Sequence, residues 1–170
     1  ARLADSMLEN WSEVTPFDLL LEDRVKDVFD QAVCLSRRYA AVVANPPYMG
    51  AKNMSDELKK FVQDHYKDGK ADLFAAFIMR NQQFIQHGAM LGMITMQSWM
   101  FLSSFEDLRR KILFSSSIKT MAHLGAGAFD SIGGEVVSTV AFTLKNESSG
   151  GKGVYIRLVD VFGDGNQSDA

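Results

Sequence analysis

Cysteine is all but missing from this chain. Cys34 is the single one in 170 residues, which excludes an internal disulfide and any cysteine-rich zinc site. Histidine is nearly as scarce. His65, His87 and His123 have no short metal-ligand spacing and read as surface or helix-end residues, so no metal is expected. No apolar run is long enough to span a bilayer; the longest, from Gly88 to Leu102, is interrupted by Thr95, Gln97 and Ser98. The first residues carry no charged-then-apolar signal pattern and no initiator methionine, so the chain is expected to be cut from something longer. An excess of positive charge is missing too. A net charge of -3 and a pI near 5.6 argue against a strongly basic nucleic-acid-binding module, whose grip comes from Lys and Arg neutralising phosphates. Nothing points to an oxidising compartment, and a cytoplasmic location is expected.

What is present describes one ordinary globular domain with a real core: 46% hydrophobic and 23% charged residues. Residues 1–38 read as mostly helical, with Val25, Val28, Phe29, Ala32 and Cys34 as one pattern and Pro16 separating it from an earlier one. Tyr39 to Ala44 is a short apolar run without helical period, which predicts a strand buried on both faces, as in a parallel sheet. Ser55 predicts a helix start, with Leu58, Phe61 and Val62 facing inward. Asp72 predicts a second N-cap, for a helix ended by Gly88. Met90 to Met96 reads as a buried strand. Ser104 predicts a third cap, followed by acids that lead and bases that trail. Ile118 to Leu124, Val136 to Leu144 and Val154 to Val161 complete the strands, and the tail from Gly163 has a disordered composition. Alternating strands and helices predict an α/β sheet, mostly parallel. The linker from Gly125 to Glu135 is too short for a crossover helix, so the strand after it is expected to run antiparallel.

One short stretch carries chemistry. Asn45-Pro46-Pro47-Tyr48 follows directly on Val42-Val43-Ala44, at the carboxyl end of a strand, where open α/β sheets bind their ligands. Proline fixes its own φ and pushes the preceding residue out of the helical region, so the turn is stiff before anything binds. The four residues resemble the motif of adenine-N6 DNA methyltransferases. Further stretches, Asp72-Leu73-Phe74-Ala75-Ala76-Phe77-Ile78, Gly92-Met93-Ile94-Thr95, Leu108-Arg109, His123-Leu124-Gly125, Ala128-Phe129 and Gly134-Glu135-Val136-Val137, resemble the large type II restriction-modification methylases and the phage-defence methylases of BREX systems. The resemblance covers roughly residues 39–161. It implies a bacterial protein with a Rossmann-like class I fold, S-adenosylmethionine as methyl donor and double-stranded DNA as substrate. Restriction or phage-defence subunits are implied as partners.

The same resemblance assigns roles. An exocyclic amine is a weak nucleophile because its lone pair is delocalised into the ring. Acceptors on its two hydrogens draw the nitrogen towards tetrahedral geometry and free the lone pair. The Asn45 side-chain oxygen and the Pro46 carbonyl are the implied acceptors, preorganised by Pro46 and Pro47. The base must be flipped out of its duplex, and Tyr48 is the implied stacking partner. Phe129, a lone aromatic in a glycine-rich loop, is a candidate for its other side, with core burial as the competing reading. Asp72 is a helix cap first and an active-site residue second.

The cofactor cradle of such enzymes, a glycine-rich loop on the first strand, should precede the proline motif, yet residues 1–38 contain no glycine. Leu124-Gly125-Ala126-Gly127-Ala128-Phe129 imitates such a loop, but Ser131-Ile132-Gly133-Gly134 would break the helix it needs. The expectation is therefore a helical lead-in (1–38), the C-terminal half of a catalytic domain (39–147), and a linker with an extra strand and tail (148–170), inactive alone. Half a sheet leaves a raw edge, so self-association is expected. Two readings compete with the DNA one. Protein glutamine or RNA adenine presents the same planar amine, and a methylase-like shape can serve assembly without catalysis; an intact motif speaks against the latter.

Overall fold

The computed structural model describes residues 16–126, 137–148 and 151–159. The chain divides into two compact units between Arg37 and Arg38. The first contains helix α1 (Pro16–Ser36), with Pro16 at its opening position, where a missing N–H costs nothing and φ is already helical. Among the described residues no helix is long and apolar enough to cross a membrane.

Among the described residues the second unit is built on five strands: β1 (Tyr39–Ala44), β2 (Ile85–Met96), β3 (Ser117–Gly125), β4 (Thr139–Lys145) and β5 (Val154–Arg157), in the spatial order β1-β2-β4-β3-β5. β1 runs parallel to β2, β3 parallel to β5, and β4 antiparallel to both β2 and β3. Four strands thus point one way and only β4 is reversed, as the sequence predicts for the strand that follows Gly125. The reversed strand sits inside the sheet rather than at its rim. Helices α2 (Asp56–His65) and α3 (Leu73–Phe84) connect β1 to β2, and α4 (Glu106–Ser115) connects β2 to β3.

Both crossovers advance across the sheet in the same direction, and right-handed connections then put their helices on the same face. Phe74 and Ile78 of α3 and Leu108 and Ile112 of α4 are fully buried with Leu91, Met93, Val140, Phe142 and Leu144 of the sheet. The opposite face is open: Val43 is 85% exposed, and Val154 and Ile156 are exposed as well. The expectation that β1 is buried on both faces is therefore corrected. It is an edge strand whose residues 42 and 44 alone pack on the core.

Local differences have local causes. Ser55 and Asp72 do cap α2 and α3, accepting from the Leu58 and Phe74 amides at 3.3 Å each. Phe61 faces outward, 51% exposed, against the His65 and Tyr66 rings, and only Val62 of α2 is buried. Gly88 does not stop α3, which ends at Phe84. At φ 75° it lies in β2, where the register to β1 shifts and its N–H donates to the Asn146 carbonyl. Ser104 is no cap: it lies in a short 3-10 turn, Ser103–Phe105, and α4 begins at Glu106 without a side-chain cap. Gly69, ending another such turn, sits so close to α3 that a Cβ would come within 2.7 Å of the Ala76 nitrogen.

Candidate active site

The carboxyl ends of β1, β2 and β3 share one edge of the sheet, and the residues just beyond them form the candidate site. β1 delivers Asn45, exposed, then Pro46, buried, Pro47, exposed, and Tyr48, half-buried. Burial of one proline ring anchors the turn, while its neighbour Asn45 stays open to solvent. The Tyr48 hydroxyl points back at the Asn45 side-chain oxygen, 3.5 Å away, a long contact that leaves this acceptor available. The Tyr48 ring meets the fully buried Phe74 edge-on, with centroids 6.3 Å apart and planes at 87°. Burial raises the tyrosine's pKa above its ordinary value of 10.0, so the phenol stays protonated.

The chain leaving Tyr48 is held by α3. The Met49 amide donates to Asp72 Oδ1 at 3.0 Å, the Leu73 amide to the Met49 carbonyl at 2.9 Å, and the Ala51 amide to the Ala71 carbonyl at 3.0 Å. Burial lifts the Asp72 pKa, and the hydrogen bonds from the Met49, Phe74 and Leu73 amides only partly offset it.

Beyond β2, Gln97 is bonded to the His123 ring at the end of β3, and Phe101 packs on that ring with centroids 5.8 Å apart. His123 is thus a partly buried strand residue rather than the surface or helix-end residue the sequence suggests. Arg109 of α4 donates to the carbonyls of Trp99 (2.7 Å) and Leu102 (2.6 Å), fixing the segment that follows Gln97. A depression of about 450 Å³ on the open sheet face is lined by Asn45, Val43, Gly92, Ile94, Thr143 and Ile156 among others. Phe129 lies outside the described residues. Among the described residues no group of three acidic, histidine or cysteine side chains is placed to hold a metal.

Among the described residues the two glycines with positive φ are Gly88, inside β2, and Gly125, at the end of β3. Gly125 serves packing: a Cβ there would lie 3.1 Å from a Val159 methyl.

The model of the family described as "Eco57I restriction-modification methylase" matches residues 5–129. The chain belongs to this family. A relative, the adenine-specific methyltransferase BrxX of Escherichia coli O9:H4 (strain HS), is 50% identical over 131 residues, which cover 76% of this chain and 11% of the relative. This family member thus spans about a tenth of that relative's length. A class I S-adenosylmethionine-dependent methyltransferase from Listeria monocytogenes superposes with a TM-score of 0.55 at 16% identity, over 74% of this chain and 38% of its own. The type IIL restriction-modification enzyme MmeI, solved in complex with DNA, gives 0.56 at 16% identity over 67% and 16%. The fold is therefore that of a class I S-adenosylmethionine-dependent methyltransferase, present in part.

Proposed function

We propose that this chain carries the amine-gripping part of a DNA adenine-N6 methyltransferase, acting in restriction-modification or phage defence. Residues 39–147 are the C-terminal half of its catalytic domain, 1–38 lead into it, and 148–170 lead out past the edge strand β5. The observation that carries the reading is the turn after β1: an exposed Asn45 at the ligand edge of a parallel strand, backed by a buried Pro46 and flanked by a half-buried tyrosine. The relative named an adenine-specific methyltransferase supports adenine as the target base. The fold neighbour in complex with DNA supports DNA as the polymer.

In this reading the Asn45 side-chain oxygen and the Pro46 main-chain carbonyl accept the two hydrogens of the adenine amine. The nitrogen rehybridises, and its lone pair turns away from the ring towards the methyl donor. Both acceptors are in place before the base arrives, so the protein spends little reorganisation energy at the transition state. The carbonyl oxygen of Asn45 has two lone pairs, so it can keep its contact with the Tyr48 hydroxyl and still receive the amine. Tyr48 presents a neutral aromatic face, braced by Phe74, on which an extruded base stacks. S-adenosylmethionine supplies an electrophilic methyl group when bound. In this reading its site lies in other parts of the catalytic domain, because residues 1–38, which precede the motif, contain no glycine. With a net charge of -3, most of the grip on DNA phosphates lies elsewhere as well.

The test is methyl transfer from tritiated S-adenosylmethionine to unmethylated DNA by the full-length protein, set against its Asn45→Ala variant. Because Asn45 is exposed, folding is expected to be unchanged and N6-methyladenine formation to be lost. Normal transfer by the variant would refute the placement of the active site.

A further inference from the structure

We infer that Asp72 is a positioning residue for the amine-gripping turn: from the N-terminus of α3 its carboxylate holds the backbone leaving Tyr48, and so sets where Tyr48 and Asn45 stand. The inference rests on the reading of Asn45 to Tyr48 given above.

Capping α3 needs only one bond, from the Phe74 amide to Asp72 Oδ1 at 3.3 Å. The same oxygen also receives the Met49 amide at 3.0 Å, across 23 residues of sequence. This second bond is not required by the helix. It is the centre of a short antiparallel contact in which Gly50 opposes Asp72, flanked by the bonds from Leu73 to Met49 and from Ala51 to Ala71. Phe74, whose amide shares the carboxylate oxygen, is also the side chain that braces the Tyr48 ring. One oxygen thus ties the exit of the motif to the helix turn that orients its aromatic. A group placed to act on a bound amine loses most of its effect when shifted by about 1 Å, so a tie of this kind is worth a half-buried acid. Ser55, whose hydroxyl accepts from the Leu58 amide at 3.3 Å, is a cap of the ordinary local kind and provides the matched control.

The experiment compares Asp72→Ala, Asp72→Asn and Ser55→Ala in the full-length protein by two readouts. Hydrogen exchange of the peptide covering 45–51 reports the tie directly, without activity. Steady-state methylation separates kcat from KM for DNA. Asp72→Ala is expected to speed exchange at 49–51 and to lower kcat about 10–100-fold with KM within roughly twofold. Asp72→Asn, which keeps the accepting oxygen, restores both, and Ser55→Ala moves neither. Unchanged exchange at 49–51 in Asp72→Ala overturns the inference, as does an equal fall in kcat in Ser55→Ala. Full activity of Asn45→Ala would instead sink the underlying reading, while the exchange measurement still decides the tie.

Discussion

Gly69→Ala is the substitution whose cost the structure fixes most directly. Gly69 is buried at the end of the 3-10 turn Lys67–Gly69, and its φ lies outside the left-handed region, so alanine is allowed there on backbone grounds. An added Cβ would lie 2.7 Å from the Ala76 nitrogen, 2.8 Å from the Ala75 carbonyl carbon and 3.0 Å from its oxygen. All three are main-chain atoms in the first turn of α3, so no flexible side chain can swing away, and the turn must lift from the helix. Overpacking of this kind costs about 1–3 kcal/mol. Stiffening the unfolded chain returns about 0.4–1 kcal/mol. Taken at the middle of both ranges the balance is a loss of about 1.3 kcal/mol, which at an m-value of about 2 kcal/mol/M lowers the urea midpoint by roughly 0.6 M. Equilibrium unfolding by urea with an unchanged m-value is the assay. Gly50→Ala is the control, because its Cβ would meet only Asp72 Oδ2, at an ordinary 3.8 Å. A Gly69→Ala protein as stable as the parent would refute the close approach of turn and helix.

Trp99→Phe removes the donor to the buried Thr95 hydroxyl (3.0 Å) and part of the edge contact with Phe142; a loss of about 1–3 kcal/mol is expected in the same assay, and no loss would mean that the indole N–H is not needed there. Asp72 sets a pH dependence. Its folded pKa is raised above 3.8 by burial, so the folded state holds the proton more tightly than the unfolded one, and ionisation works against folding. Wild type is therefore expected to lose stability relative to Asp72→Asn as pH rises from 3.8 through the raised folded value, and a relative gain over that interval would show that the amide bonds, not burial, dominate. Finally, the exposed edge strand β1 is expected to drive self-association of the isolated 170-residue chain; a strict monomer at high concentration in sedimentation would count against this.

Much of the fold was legible because it is written locally. Tyr-Ala-Ala-Val-Val-Ala followed by Asn-Pro-Pro has one structural solution, and β1 has the bounds that the apolar run predicts. The direction of β4 followed from a linker too short for a helix. The one-sided burial of the sheet was not legible, because it depends on both crossovers advancing the same way, which no window of sequence records. Phe61 illustrates the same limit. Its spacing places it with Leu58 and Val62, yet a helix of this length buries a narrow stripe, and the ring falls outside it, against His65 and Tyr66. Ser104 failed as a cap for a further reason: the segment before α4 is organised by Arg109 reaching back to two carbonyls, a side chain acting from within the helix on residues that precede it.

The candidate site divides along the same line. The proposed reacting face is four consecutive residues, so it could be nominated from the string. Its support is made of pairs far apart: Asp72 with Met49, Tyr48 with Phe74, His123 with Gln97. The sequence offered half of the first pair, since Asp72 before an apolar period is a recognisable cap. It could not offer the other half, because a carboxylate that caps one helix looks the same whether or not its oxygen has room for a second amide. That room is set by the antiparallel contact of Gly50 with Asp72, in which residue 50 opposes the acid closely enough for the neighbouring Met49 amide to reach it. A side chain at 50 would still be tolerated by distance, so the glycine itself gives no warning of the contact. In the proposed reading the preorganisation of the motif resides in residues that, taken singly, read as ordinary helix and loop, and only their pairing in space distinguishes a stiff turn from a site.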